Sequence, residues 1–592
     1  MNYITAIISL TIILTYSNAI SLKFKNKLNE TFFISCVLII FFSFLFLKLQ
    51  FFFNFIIIEY LPYIFIFISI LLIPYLKKSF FKIDIKFNLE FIFFFSIIYL
   101  LSVDRYYLDQ DEITYWGRAV KALFLNYDNS IFVYHPEGLN IFRYLFAIIN
   151  FNEGITIFSN NLILLCGFFY LFNNRRLKII EKFIFFLIYY LLFNNLSFGF
   201  LSIYSDPILA IFYACLLKNL YFINKNTNLK KNIFSILSLL LILITLLTIK
   251  RSSPIFCIYT IFIFLSLLTI RNIKSKKFLY FLLLNILVIS VFFYKIYLPI
   301  ILGNSYDIIE IFKAFKIILT TNSLKFDFIN FIFSPIYFSK FGSTFNGIFE
   351  IVFSSGFKIQ EIDIPLFVYI LLILIFIFSK FDNKKFFLIS SFFIIIVHAF
   401  LIFIFKFYLD GLHVSALPRY LGIIILSKFL FFISVISYED NFFYKKFSFL
   451  TLLFFLIIVT PKKTVGYFVP DKIYYKSLNN KIYKKNRENI SILNNKKNNY
   501  SDIIIIHKKS YSDYSNNNVS GIHTFYNDII VYELFPTQPK FVELDNYLKE
   551  EKELKDKLKK NLPDTLFILF DLNKNEVSKI KIKADKYLIN TY

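Results

Sequence analysis

The chain has 592 residues, of which 58% are hydrophobic and only 17% are charged, whereas soluble proteins have about 25% charged residues. This composition excludes a soluble globular protein. The formal net charge of +25 would suggest nucleic acid in a soluble chain. Here the basic residues lie mostly in short loops between apolar segments, and basic residues in such loops set the orientation of a membrane protein. We therefore expect no nucleic-acid partner.

Apolar segments long enough to cross a bilayer recur from the N-terminus to residue 460. The sequence therefore predicts an all-α polytopic membrane domain over residues 1–460, with about fourteen transmembrane helices. The approximate bounds of the predicted spans are 3–20, 31–49, 55–76, 90–103, 155–172, 183–200, 205–222, 233–250, 254–270, 278–302, 364–379, 386–407, 420–437 and 447–460.

Lysine and arginine accumulate in alternate loops between these segments. If residues 21–30 are cytoplasmic, alternation places the basic short loops on the cytoplasmic side, as the positive-inside rule predicts. The outer face then receives the loops 104–154 and 303–363 and the tail after residue 460. We expect a multi-pass protein of a bacterial-type inner (plasma) membrane, in contact with membrane lipids, whose active site is extracytoplasmic.

The first outer loop carries three carboxylates within four residues, Asp109, Asp111 and Glu112, close to Trp116, the one tryptophan of the chain. A carboxylate at a membrane is costly unless it meets water, a partner or a substrate. The sequence therefore predicts a catalytic loop. The residues after the acids predict an amphipathic helix on the membrane surface with its tryptophan at headgroup level. Its apolar face comprises Ile113, Trp116, Val120, Leu123 and Phe124.

Further polar residues fall at the outer ends of apolar segments. Carboxylates there can deprotonate an acceptor, and cations can hold a phosphate, which arginine binds bidentately. These residues are His135, Arg143, Asp206, Lys250, Arg251, His413 and Arg419.

The composition changes after Thr460, where asparagine and lysine become frequent. We predict a small extracytoplasmic α/β domain over residues 461–592. Its predicted strands are Ile503–Ile506, Ile529–Leu534 and Leu566–Leu569, and its predicted helix is Leu544–Leu562.

Five segments resemble motifs of the GT-C superfamily, specifically the polyprenyl-phosphate-sugar-dependent transferases related to protein O-mannosyltransferases and aminoarabinose transferases. Their order and spacing carry the resemblance over roughly residues 90–440. The segments are Asp109-Gln110-Asp111-Glu112, Tyr134-His135-Pro136-Glu137-Gly138-Leu139, Tyr204-Ser205-Asp206-Pro207-Ile208-Leu209-Ala210, Thr248-Ile249-Lys250-Arg251-Ser252 and Pro418-Arg419-Tyr420-Leu421.

The resemblance implies a GT-C fold and an inverting transferase that takes a sugar from a polyprenyl-phosphate donor. Asp111 or Asp109 would be the general base, with Glu112 as the third acid of the loop. Lys250, Arg251 and Arg419 would bind the donor phosphate, and His135, Asp206 and His413 are further site candidates. The acceptor, whether lipid, glycan or protein, stays open.

Metal dependence also stays open. Asp109 and Asp111 would be the ligands if Mg²⁺ or Mn²⁺ is used, and no other cofactor is expected. Two features depart from the family pattern. Glu137 stands where the family often has a second proline, and about three spans precede the one that leads into the acidic loop, where close relatives usually have one.

Two other functions are alternatives to the transferase. A glycan polymerase or ligase with a diphosphate-linked donor needs such arginines but no clustered acidic loop. A lipid-linked-glycan flippase or transporter should place ionisable residues near mid-membrane and often has inverted repeats. The sequence shows no internal repeat, so the transferase is the leading hypothesis.

Overall fold

The computed structural model describes most of residues 2–263, part of residues 423–435, Tyr532 and five strand segments between 502 and 590. In the first range it leaves out 25–27, 54–59, 79–83, 104, 108–111, 126–137, 149–150, 173–178, 198–199, 201, 226–228, 251–252, 254 and 262. Four predicted spans, 278–302, 364–379, 386–407 and 447–460, and the loop 303–363 lie outside the described residues.

The described part of the first 250 residues is helical nearly throughout. The helices are α1 (Asn2–Phe24), α2 (Leu28–Phe53), α3 (Leu61–Lys78), α4 (Ile85–Ser102), α5 (Arg118–Phe124), α6 (Gly138–Ala147), α7 (Glu153–Phe172), α8 (Ile179–Ser197), α9 (Asp206–Lys225) and α10 (Leu229–Leu246). A π-helical segment, Glu112–Gly117, leads directly into α5.

Five of these helices are long and apolar enough to cross a membrane, so the prediction of a membrane-embedded helical protein is confirmed at that level. They cover Tyr3–Phe24, Glu30–Leu49, Ile85–Ser102, Glu153–Phe172 and Asp206–Ile223. Two further helical stretches, Leu61–Lys77 and Phe234–Leu246, are apolar but shorter.

Helices α7 and α9 lie at the centre of this bundle. Every residue of α7 is buried, and the stretch of α9 from Asp206 to Leu217 is buried throughout. The two helices approach closely at Gly167, where an added Cβ would lie 2.9 Å from Cδ1 of Ile211. Small residues permit such approaches between membrane helices, where van der Waals packing drives association.

Helix α2 packs against both central helices through aromatic and sulfur contacts. The ring of Phe33 lies 5.0 Å from that of Phe212 on α9, and the sulfur of Cys36 lies 3.3 Å from that of Cys166 on α7. Phe32 stacks on Phe91 of α4 with ring centroids 4.1 Å apart. The core of the described bundle is therefore built from α2, α4, α7 and α9.

Lys182 and Lys218 lie inside apolar helices. Nζ of Lys182 on α8 is 2.6 Å from Oε2 of Glu90 on α4, and the two side chains are only 3% and 4% exposed. Lys218 on α9 donates to the carbonyl oxygen of Tyr170 on α7. Each ammonium is thus compensated by an oxygen on a neighbouring helix, which its burial requires.

The chain divides into two compact units. The first comprises Met1–Val103 and Phe132–Phe468, and the second comprises Asp104–Ile131 and Val469–Tyr592. Residues 104–131, which belong to the predicted outer loop 104–154, group with the C-terminal part of the chain. Proximity in space, which a sequence does not display, decides this grouping.

The second unit contains a mixed five-stranded sheet of order β2-β1-β3-β4-β5. The strands are β1 (Asp502–His507), β2 (Lys540–Glu543), β3 (Thr565–Asp571), β4 (Glu576–Lys583) and β5 (Lys586–Asn590). Strand β1 pairs in parallel with β2 and β3, while β3, β4 and β5 are antiparallel. Strands β4 and β5 pair with Lys583 opposite Lys586.

The strands predicted at 503–506 and 566–569 coincide with β1 and β3. The strand predicted over Ile529–Leu534 is wrong at Tyr532, which is helical. A short apolar run with β-branched residues is compatible with either a strand or a buried helix, so periodicity alone did not separate them. The helix predicted over Leu544–Leu562 lies outside the described residues.

Candidate active site

Asp206 and Lys250 form an ion pair between the start of α9 and the segment that follows α10. Nζ of Lys250 donates to Oδ1 of Asp206. The aspartate side chain is 0% exposed and the lysine side chain is 12% exposed. The carboxylate is therefore fully enclosed, whereas a small part of the lysine side chain is exposed.

The start of α9 begins with an acid followed by Pro207, a residue suited to the first helical turn because it has no N–H to satisfy. The loop that precedes it is irregular backbone within the bundle, and such backbone must find hydrogen-bond partners. Nδ2 of Asn160 donates to the carbonyl oxygens of Ser202 at 3.3 Å and Tyr204 at 3.1 Å. Nδ2 of Asn161 donates to the carbonyl oxygen of Phe200 at 2.8 Å.

Arg143 of α6 ties the same loop to α7. Its guanidinium donates from Nε and Nη2 to Oδ1 of Asn160, at 3.1 and 3.0 Å, and from Nη1 to Oδ1 of Asn140 at 2.8 Å. Nη2 also donates to the carbonyl oxygen of Ile203. Because Arg143 is fully buried, its planar fork fixes α6, α7 and the loop before α9 to one another.

Gly138, the first residue of α6, joins this helix to the Lys250 segment. Its backbone N–H donates to the carbonyl oxygen of Thr248 at 3.2 Å. An added Cβ at Gly138 would lie 2.8 Å from Cβ of Thr248, so only glycine permits this approach. Two residues later, the N–H of Lys250 donates to Oγ of Ser253 at 3.1 Å, which turns the chain after α10.

Three of the five motif-bearing segments therefore converge in one place. The segment ending in Gly138-Leu139, the segment around Asp206 and the segment from Thr248 to Lys250 are held together by Arg143, Asn160 and the Asp206–Lys250 pair. In this arrangement the buried carboxylate of Asp206, at the start of α9, fixes the position of the Lys250 ammonium. Chemically, the arrangement can hold an anionic group beside a preorganised cation.

The acidic motif lies in the second unit. Glu112 begins the π-helical segment that runs into α5, whereas Asp109 and Asp111 lie outside the described residues. The predicted helix after the acids is confirmed over Glu112–Phe124, and four residues of its predicted apolar face are buried: Ile113, Trp116, Val120 and Leu123. π-helical turns are rare and occur often at functional sites.

Trp116 does not match the position that we expected for it. Its side chain is 4% exposed, so its ring packs within the protein and little of it is left for lipid headgroups. Ala119, Lys121 and Ala122 on other faces of the segment are buried as well. Burial on several faces is typical of an internal helix, not of one that lies on a membrane surface.

Four other candidates, His135, Arg251, His413 and Arg419, lie outside the described residues, and their assignments stay predictions. Within the part of the chain that the structure describes, no group of three or more histidine, cysteine, aspartate or glutamate side chains is arranged to hold a metal ion. Because Asp109 and Asp111 are not in that part, metal dependence stays open.

Asn140 and Asn160 carry much of this hydrogen-bond network. Neither residue was among the predicted site residues. A signal was present, since Ser159-Asn160-Asn161 interrupts an otherwise apolar span. Polar side chains within an apolar span need partners, and Asn160 and Asn161 of α7 find them in the loop before α9.

Comparisons of the chain with protein-family models, with curated proteins and with solved structures found no match.

Proposed function

We propose that the protein is a membrane glycosyltransferase of GT-C type that moves a sugar from a polyprenyl-phosphate-linked donor to an acceptor on the extracytoplasmic face. In this proposal Asp111 is the general base, with Asp109 and Glu112 beside it in sequence. Lys250, Arg251 and Arg419 bind the donor phosphate. His135, Asp206 and His413 are further residues of the site.

The observation that carries the proposal is the convergence of three motif-bearing segments at the Asp206–Lys250 pair. The resemblance of each segment to its family motif is weak by itself. Their assembly around one partly exposed lysine, held by a buried carboxylate and braced by Arg143, is what a donor-phosphate site requires. Fixed cations stabilise a leaving phosphate without reorganising during the reaction.

The proposed reaction is a single displacement. The loop carboxylate removes the proton from an acceptor hydroxyl or amine, and the acceptor atom forms a bond to C1 of the sugar. The bond between C1 and the phosphate oxygen breaks as that bond forms, and its electron pair stays on the polyprenyl phosphate. One inversion at C1 results, and cations neutralise the charge of the leaving phosphate.

The proposal includes a particular topology. About fourteen transmembrane helices would carry the acidic loop and residues 461–592 on the outer side of a bacterial-type inner membrane. The C-terminal part would form a small α/β domain there, with a mixed sheet of five strands.

The donor class is tested with membranes that contain the protein and with radiolabelled sugars linked to a polyprenyl carrier through one phosphate or through a diphosphate. Label is followed into acceptors and into released carrier. Transfer from the monophosphate donor supports the proposal. Transfer from the diphosphate donor alone would replace it with a polymerase or ligase.

One observation favours a second candidate, a transporter of lipid-linked glycans. Lys428 is 0% exposed, lies within a predicted span, and its Nζ makes no hydrogen bond in the structure as described. Ionisable residues buried in membrane helices often mark transport pathways. Carrier-linked label that crosses the membrane without transfer to any acceptor would establish this alternative.

A further inference from the structure

The acidic loop groups with the C-terminal part of the chain. Residues 104–131, which include the three acids, belong to the same compact unit as residues 469–592. Within this unit, the link that the structure describes in most detail joins Lys121 on α5 to Tyr532, 411 positions later in the chain.

Lys121 makes two different contacts with that one tyrosine. Its Nζ donates to the carbonyl oxygen of Tyr532 at 2.6 Å, and the same ammonium lies 4.5 Å from the centre of the tyrosine ring. Lys121 is 8% exposed and Tyr532 is 1% exposed. A lysine this deeply buried depends on such partners, because an uncompensated ammonium is costly away from water.

Tyr532 also touches the loop on the other side of the acids. The ring of Tyr107 lies 5.9 Å from the ring of Tyr532 at an interplanar angle of 65°, an edge-to-face contact. Tyr107 is 0% exposed and precedes Asp109 by two residues. A single residue of the C-terminal part therefore contacts the loop both before and after the acidic motif.

We propose that Tyr532 is a positioning residue for the acidic loop. By holding Tyr107 and Lys121 together, it fixes two residues that flank the acidic motif in the sequence, and we expect this to limit the conformational freedom of the chain between them. Closing a chain segment lowers its conformational entropy before any substrate binds, and preset geometry is what a general base requires. The catalytic consequence rests on the proposed function, whereas the clamp itself does not.

Trp116 reports on this clamp directly, because it is the one tryptophan of the chain and lies between Tyr107 and Lys121. Its side chain is 4% exposed. In the purified full-length protein we would record the emission maximum and acrylamide quenching of Trp116 for the wild type, Tyr532→Ala and Tyr532→Phe. Both variants keep the backbone carbonyl oxygen, but the alanine variant removes the ring, whereas the phenylalanine variant keeps the ring and removes only the hydroxyl group.

We expect Tyr532→Ala to shift the emission of Trp116 to longer wavelength and to raise its quenching, while Tyr532→Phe matches the wild type. Lys121→Met is expected to act like Tyr532→Ala, and Lys121→Arg to retain most of the wild-type signal. Tyr63→Ala is the control, since this tyrosine of α3 is 65% exposed and belongs to the other unit. Unchanged emission and quenching in Tyr532→Ala would overturn the proposal.

The transfer assay provides the second readout. Tyr532→Ala should lower kcat by about 10-fold or more, with a smaller change in KM for the donor, because a displacement of about 1 Å can cost about 100-fold in rate. Tyr532→Phe should restore kcat. If Trp116 becomes exposed but kcat is unchanged, the clamp does not position the acids and the proposal is wrong. If the wild type transfers no sugar, the proposed function fails, and the fluorescence alone decides whether Tyr532 holds the loop.

Discussion

Asp206 and Lys250 lie 44 positions apart in the chain and form an ion pair in which the carboxylate is completely buried and the lysine is not. This asymmetry gives the two residues different roles. Asp206 is enclosed at the start of a central helix and orients its partner. Lys250 is 12% exposed, and in the proposed function it contacts the donor phosphate.

Replacing Lys250 by methionine leaves a buried carboxylate without its cation, which should lower the free energy of unfolding by about 3 kcal/mol. The double variant Asp206→Asn/Lys250→Met should regain much of this stability, because neither charge is then buried. Neither variant should transfer sugar at the wild-type rate, since both lack the ammonium. Unfolding in mixed detergent micelles and the transfer assay measure the two effects.

Lys182→Met provides the matched control, because it also removes the lysine of a buried ion pair. It should destabilise the protein to a similar extent, but the molecules that remain folded should keep the wild-type KM for the donor. If Lys250→Met also leaves that KM unchanged, Lys250 does not bind the donor phosphate.

Gly138→Ala places a methyl group against Thr248, where an added Cβ would lie 2.8 Å from the threonine Cβ. Overpacking of this kind costs about 1–3 kcal/mol, and here it also pushes on the backbone two residues before Lys250. We expect reduced transfer in addition to reduced stability. Gly167→Ala, which crowds Cγ1 and Cδ1 of Ile211 in the core, should lower stability while leaving the donor KM near the wild-type value.

Arg143→Lys keeps the positive charge but loses the planar fork that reaches Asn140, Asn160 and the carbonyl oxygen of Ile203. Because hydrogen bonds to a charged group contribute about 1.5–3 kcal/mol each, the loss of one or two should destabilise the protein measurably. The loop before α9 should become more open to hydrogen exchange. If the amide hydrogens of residues 202–204 exchange at the wild-type rate in this variant, the guanidinium does not hold this loop.

The pair Glu90–Lys182 should behave differently when both members are removed. A buried ion pair replaced by apolar side chains of similar size is often neutral or stabilising by about 1–4 kcal/mol. The double variant Glu90→Leu/Lys182→Met should therefore unfold no more easily than the wild type, whereas each single variant should unfold more easily. If the double variant is less stable than both single variants, the ion pair stabilises the α4–α8 contact more than apolar side chains would, and this prediction is wrong.

The helical membrane architecture could be predicted because the span signal is local. An apolar stretch of sufficient length must satisfy its own backbone hydrogen bonds, and a helix does so within the segment. The bounds of α7 and α9 agree with their predicted spans to within three residues. The convergence of Gly138, Asp206 and Lys250 depends on packing, so the sequence alone indicated only that these residues share the outer side.

The predictions that failed concern features set by tertiary contacts. Trp116 was expected at a lipid headgroup but is buried, because its amphipathic pattern does not identify which surface covers it. Tyr532 was assigned to a strand because a short apolar run has no decisive period. The domain bounds stay a prediction, and the grouping of residues 104–131 with the C-terminal unit joins segments hundreds of positions apart, which no local pattern displays.

The measurement that tests the central claim most directly compares the wild type, Asp111→Asn and Asp128→Asn in membranes at equal expression. Asp128 is an acid of the same loop outside the motif, so it controls for the loss of one negative charge. With a radiolabelled polyprenyl-phosphate sugar, label should reach the acceptor in the wild type and in Asp128→Asn, and transfer should be lost in Asp111→Asn. Normal transfer by Asp111→Asn would contradict the assignment of the base, and no transfer by the wild type from any monophosphate donor would contradict the proposed function.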